Sequence, residues 1–137
     1  MLRLNRGDYM LYTSYFAKTA KLNKDENILI CISRHIPKWV DKDSMLHLLS
    51  LAPSEQLLKD YKANKVTEEQ FKEQYIKGLD ENIGLGNLLN YFKEIEQDSS
   101  KNNIDVYLIC YEAPDKFCHR HILADLLKDV ISIQEAD

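Results

Sequence analysis

The strongest constraint on the fold is Asn27 to Ser33, NILICIS, an almost unbroken apolar run of strand length. A strand with one wet face alternates in polarity. A run of this kind instead suits a strand covered on both faces, as in a parallel sheet held between other layers. Ile104 to Tyr111 (IDVYLICY) gives a second buried-strand pattern. Through a short polar turn it enters an amphipathic helix, Phe117 to Lys128, that opens on Cys118, His119, Arg120 and His121. Tyr9 to Phe16 (YMLYTSYF), dense in aromatic residues, reads as the first strand, and Val130 to Gln134 (VISIQ) as a short last one.

Helices fill the space between. Pro53 and Ser54 start one over Glu55–Lys62, and Thr67 to Gln70 matches a capping box for another that runs to about Leu79. Gly84 and Gly86 precede a third, with Leu88, Tyr91, Phe92 and Ile95 as its core-facing stripe and the polar run Asp98–Asn103 as its end. Strands separated by helices, with no hairpin signal, predict an α/β sandwich. The expected architecture is a mostly parallel sheet of about four strands flanked by helices, in a single domain spanning residues 1–137.

Eighteen basic against 22 acidic residues give a net charge of -4, so no global field draws the chain to nucleic acid or acidic lipid. Any anion binding must be local. Three cysteines is an odd number, and Cys31 and Cys110 fall inside expected strands, so all three are read as reduced thiols. The opening residues are too polar for a signal peptide, and no run of ~18 apolar residues offers a membrane span. A cytoplasmic location without membrane partners is the expectation.

In parallel α/β sheets the ligand crevice lies beyond the carboxyl ends of the strands, near helix N-termini. That rule gathers Ser14 and Tyr15 from the first strand, Arg34 with Lys38 and Trp39 from the second, Tyr111 and Glu112 from the third, and the Cys118 helix start. Unpaired amides and the helix dipole there favour an anion or a thiolate. Turning each side chain by about 100° points His119 at the sheet, puts Cys118 and Arg120 on the margins of the apolar face, and turns His121 to solvent. His119 or Glu112 would carry a proton. Arg120 would either fork onto a phosphate or carboxylate or pair with Glu112. Cys118 is either a nucleophile activated by His119 or an apolar filler beside the site. Ser14, Tyr15, Arg34, Lys38, Trp39 and Tyr111 would contact the ligand, although a lone loop Trp such as Trp39 is more often a hydrophobic lid.

Sharper motifs fail. There is no phosphate loop, Gly84-Leu85-Gly86 lacks the third glycine and preceding strand of a dinucleotide fingerprint, and no Cys is followed six residues later by Arg. Cys118 with His119 or His121 matches no zinc spacing, and one helical turn cannot supply a closed site. No metal or other cofactor is implied.

The segments YTSYF (Tyr12–Phe16), ISRHIPKW (Ile32–Trp39), LAPS (Leu51–Ser54) and above all CYEAPDKFCHRHILADLL (Cys110–Leu127) resemble domain-of-unknown-function family 488. The resemblance implies a compact α/β domain and carries over Ser14, Tyr15, Pro37, Tyr111, Glu112, Cys118, His119 and Arg120. It brings no reaction with it. Two readings stand: an enzyme acting on an anionic, nucleotide-like or nucleic-acid-linked substrate, or a non-catalytic module that binds such an anion, a nucleic acid or a protein at the same positive pocket. A third has the Cys-His-Arg run merely anchoring its helix. Neither partner identity nor oligomeric state is indicated.

Overall fold

The computed structural model describes residues 11–20, 22, 25–111 and 117–136. Along the chain these form β1 (Leu11–Tyr15), α1 (Phe16–Thr19), β2 (Asn27–Cys31), β3 (Leu46–His47), α2 (Glu55–Lys62), α3 (Glu68–Asn82), α4 (Leu85–Asn102), β4 (Asp105–Cys110), α5 (His119–Leu127) and β5 (Ile133–Glu135). The sheet runs β3-β2-β4-β1-β5, with every pairing parallel. The α/β class expected from the alternation is what forms, with one strand more than expected, because two residues after Met45 add β3 to the edge of β2.

Local chemistry sets the helix ends. The Ser54 hydroxyl accepts the Leu57 amide to cap α2, and the Thr67–Gln70 capping box closes in both directions at α3. The helix expected to stop at the Asp98–Asn103 run continues through Asn102 instead. Its polar last turn mostly faces water, and Asn103 ends it in the left-handed region at φ 58°, which asparagine tolerates. Phe117 and Cys118 stay outside α5, and Cys118 is the extended residue that precedes it.

Period-two alternation splits the strands between two layers. Leu11, Ile30, Ile32, Val106, Leu108 and Cys110 pack with α2 to α5, through Leu57, Phe71, Leu79, Phe92, Leu123 and Leu127 among others. Leu29, Cys31 and Ile109 face a thinner layer made by Phe16, Leu22, Ile36, Val40 and Met45. Both faces are covered, which is why NILICIS and VYLIC are apolar without alternation. Each fully buried Leu or Ile here contributes roughly 1.5–3 kcal/mol.

The connections divide the same way. From β1 to β2 and from β2 to β3 the chain crosses the thin layer, while from β3 to β4 and from β4 to β5 it crosses the helical layer. Strand β4 therefore lies between two strands, β2 and β1, whose outgoing chains leave toward the opposite face. Such a reversal opens a crevice at the carboxyl ends. Among the described residues, no helix is long and apolar enough to cross a membrane.

Candidate functional site

The crevice is occupied by a cavity of about 390 Å³. Ser33 and Arg34 from the end of β2, Cys110 and Tyr111 from the end of β4, and Phe117, Cys118 and His119 from the approach to α5 line it. Tyr61, Lys62 and Phe71 form the wall contributed by α2 and α3. Tyr61, Phe71 and Phe117 contact one another ring to ring, with centroids 5.2 to 5.3 Å apart, so this wall is aromatic and fixed.

His119 is the best defined polar group in it. Its Nε2 lies 2.6 Å from the carbonyl oxygen of Ile32, and because a carbonyl can only accept, Nε2 carries the hydrogen. Burial pushes the imidazole down from 6.5 to about 4, against the opposing pull of the Ile32 bond and helped by the charges of Arg120 and His121. The ring is thus neutral near pH 7, and Nδ1 keeps a bare lone pair, 3.8 Å from Cys118 Sγ. The Tyr75 ring meets the imidazole edge to face at 5.5 Å, and the Tyr75 hydroxyl donates to the Leu51 carbonyl at 2.6 Å.

A pH prediction follows from that burial. The unfolded imidazole protonates as pH falls through about 6.5, whereas the folded one resists down to about 4. The stabilisation of the neutral ring is therefore complete above pH 6.5 and is lost progressively toward pH 4. Urea midpoints are expected to fall more steeply between pH 7 and 4.5 for the native protein than for His119→Phe. Equal slopes would contradict the buried neutral ring.

Cys110 and Cys118 are joined in a disulfide, which corrects the expectation of three reduced thiols; only Cys31 is free, and it is buried. The two cysteines look unrelated along the sequence. The crevice brings a strand end and a helix start together, and the sulfurs meet there. Cys31 points to the thin layer instead, with its sulfur 3.3 Å from Ser33 Oγ and its thiol pKa raised by burial.

Arg120 is fully buried rather than marginal. Its Nε and Nη2 donate to the two carboxylate oxygens of Glu135 at 3.2 and 3.1 Å, and Nη1 lies 3.0 Å from Cys110 Sγ. The Thr13 hydroxyl donates to the same carboxylate at 2.6 Å, and the Tyr15 ring lies 5.9 Å from the guanidinium. The fork thus grips a carboxylate of its own chain. Glu135 had no signal in the sequence: it becomes a partner only through the β1–β5 register, which sets it beside Thr13. His121 Nδ1 stands 3.9 Å from Glu135, and burial lowers its pKa.

Of the residues singled out from sequence, Arg34, Tyr111, Cys118 and His119 converge on the cavity. Arg34 donates from Nε and Nη2 to the Pro53 carbonyl, and Nη1 has no partner among the described residues. Tyr15 and Arg120 are not among the residues that line it. Ser14 is buried on the thin-layer side of β1, with its hydroxyl unpaired among the described residues. Trp39 lines a separate cavity of about 320 Å³ with Phe16, Val40 and Met45, and Lys38 is exposed near it. Glu112 lies outside the described residues.

Comparison with known proteins gives one family match: a family model described as the active DUF488-N3 subclade covers residues 13–130. No curated protein and no solved structure matches the chain.

Proposed function

The chain belongs to the DUF488 family, in its active DUF488-N3 subclade, and on that premise we propose that the crevice is an enzyme site for an anionic, nucleotide-like or nucleic-acid-linked substrate. The observation that carries the reading is the bond from His119 to Ile32, which leaves a neutral imidazole with its accepting Nδ1 in a cavity of about 390 Å³. That volume suits a small-molecule ligand. Arg34 and Lys62, both lining the cavity, supply positive charge in a chain whose net charge is -4. In this proposal Arg34 holds the anion, Tyr111 and the aromatic wall take the planar part, and His119 accepts a proton. Glu112 is a second proton carrier on sequence grounds alone. Arg120 and Tyr15 hold the start of α5 in position, and Ser14, Lys38 and Trp39 have no part. A cytoplasmic location belongs to the same proposal.

A binding module without chemistry is the second reading, favoured by the disulfide, which removes both crevice thiols as nucleophiles. Nucleoside mono- and diphosphates and short single-stranded DNA, incubated with the protein and analysed by chromatography, separate the two. The enzyme reading expects products from at least one class. It also expects KM to rise about tenfold or more in Arg34→Ala, since a charge-assisted hydrogen bond is worth ~1.5–3 kcal/mol. Binding without product supports the module. Turnover indifferent to Arg34→Ala would remove the assigned anion clamp.

A further inference from the structure

We propose that Cys110, Cys118 and His119, once the disulfide is reduced, form a three-ligand site for a thiophilic divalent cation of the zinc class, with its fourth position open to the crevice. The proposal goes beyond the enzyme reading, which concerns the disulfide form with Nδ1 free. In the reduced, metal-loaded form Nδ1 is a ligand and no longer accepts a proton, so the two are tested separately. The two sulfurs and a ring nitrogen of His119 lie within 4.8 Å of one another, and all three residues are buried. Two thiolates and one imidazole are the donor set that selects zinc over calcium or magnesium. Cys118 with His119 or His121 alone is no metal site in the sequence. The fold supplies the missing ligand from β4, eight residues upstream of Cys118.

Several features favour an ion here. His119 already has the arrangement of a metal-bound histidine: Nε2–H is tied to the Ile32 carbonyl at 2.6 Å, which fixes the tautomer and leaves Nδ1 as the ligand atom. Cys110 likewise has an outer partner in the Arg120 guanidinium, 3.0 Å from its sulfur, while Cys118 stands at the N-terminus of the nine-residue α5, where a thiolate is favoured. The backbone spacing is also wide, with the two Cα atoms 7.7 Å apart, beyond the roughly 4.4–6.8 Å usual for a disulfide. The charges close as well. Two thiolates neutralise the cation, and Arg120 is already balanced by Glu135. Three protein ligands with the fourth side facing a cavity is the pattern of an open site, able to hold a water or a substrate oxygen.

Loading requires two balanced steps. A dithiol donates two electrons and two protons to the disulfide, becoming a disulfide itself and leaving Cys110 and Cys118 as thiols. The cation then displaces both thiol protons to solvent and binds two sulfurs and Nδ1.

The full chain, reduced with a phosphine and freed of reductant, is titrated with Co²⁺ while the thiolate-to-cobalt charge-transfer absorption is followed. One ion per chain is expected, with the band abolished by Zn²⁺ competition and absent from the air-oxidised protein. Cys110→Ser and Cys118→Ser should lose the band, His119→Gln should weaken binding at least about tenfold, and Cys31→Ser and His121→Gln should retain it. The reduced wild-type titration needs no variant to fold. Absence of the band there at millimolar Co²⁺, or a band that survives in both Cys110→Ser and Cys118→Ser, overturns the site.

Discussion

Arg120→Met is expected to cost about 3 kcal/mol of unfolding free energy in urea at pH 7, the largest stability effect of any single substitution at the crevice. The side chain is fully buried and its head is held three ways: by both oxygens of Glu135 and by the sulfur of Cys110. Methionine keeps much of the volume, so most of the loss comes from stranding the Glu135 carboxylate rather than from a cavity. Breaking one side of a buried pair costs roughly 3–5 kcal/mol. The lower end applies here because Glu135 is 25 % exposed and keeps the Thr13 hydroxyl as a donor. The double variant with Glu135→Gln should lose less than the two single losses added together, because each single change leaves a partner unsatisfied. A loss under about 1 kcal/mol for Arg120→Met would mean that the fork is solvated, and that the sequence reading of a guanidinium available to a ligand fits better.

His119→Ala is expected to lower kcat by about 10²- to 10⁴-fold with a far smaller change in KM, once a turned-over substrate is in hand. The substitution removes an accepting nitrogen of the crevice whose tautomer is fixed by a backbone bond. It also strands the Ile32 carbonyl in a buried setting, which costs stability by ~1–3 kcal/mol, so activity must be measured on the folded fraction. The pH dependence separates catalysis from scaffolding. A base with its pKa lowered to about 4 stays competent at pH 5.5, where an ordinary histidine is mostly protonated, so kcat should hold to about pH 5 and fall only nearer 4. An acid limb centred near 6.5 would assign the proton transfer to another group.

Much of the fold was legible because local chemistry and tertiary packing agree. NILICIS and VYLIC are strands since both their faces are covered, and α2 and α3 begin where Ser54 and the Thr67–Gln70 box put them. β3 escaped notice because two residues carry no periodicity, and its pairing with Ile30 and Cys31 is purely long-range. The ends of α4 and α5 shifted for local reasons: a polar turn is as stable in solvated helix as in coil, and Cys118 takes an extended cap conformation.

At the site, the helical projection correctly aimed His119 inward. It missed the burial of Arg120, because a projection knows one helix and nothing of the strand beside it. Glu135 lies fifteen residues beyond Arg120, with only strand register to bring the two together. Cys110 was read as strand filler for the same reason. Its meeting with Cys118 is created by the chain reversal around β4, and that reversal is visible only once the strand order is known. Motif spacing tests residues within one turn or one loop, and the cluster at the crevice draws on a strand end and a helix start.

The most direct test of the crevice as the ligand site is a two-dimensional amide NMR titration of the ¹⁵N-labelled protein with adenosine 5′-monophosphate. Shifts are expected to concentrate at Ile32 to Arg34, Tyr111 and Phe117 to His119, and to shrink with added salt, as attraction to a partly exposed cation does. Shifts confined to the separate cavity of Phe16, Trp39 and Met45, or none along the carboxyl ends of β2 and β4 at saturating nucleotide, would contradict the account.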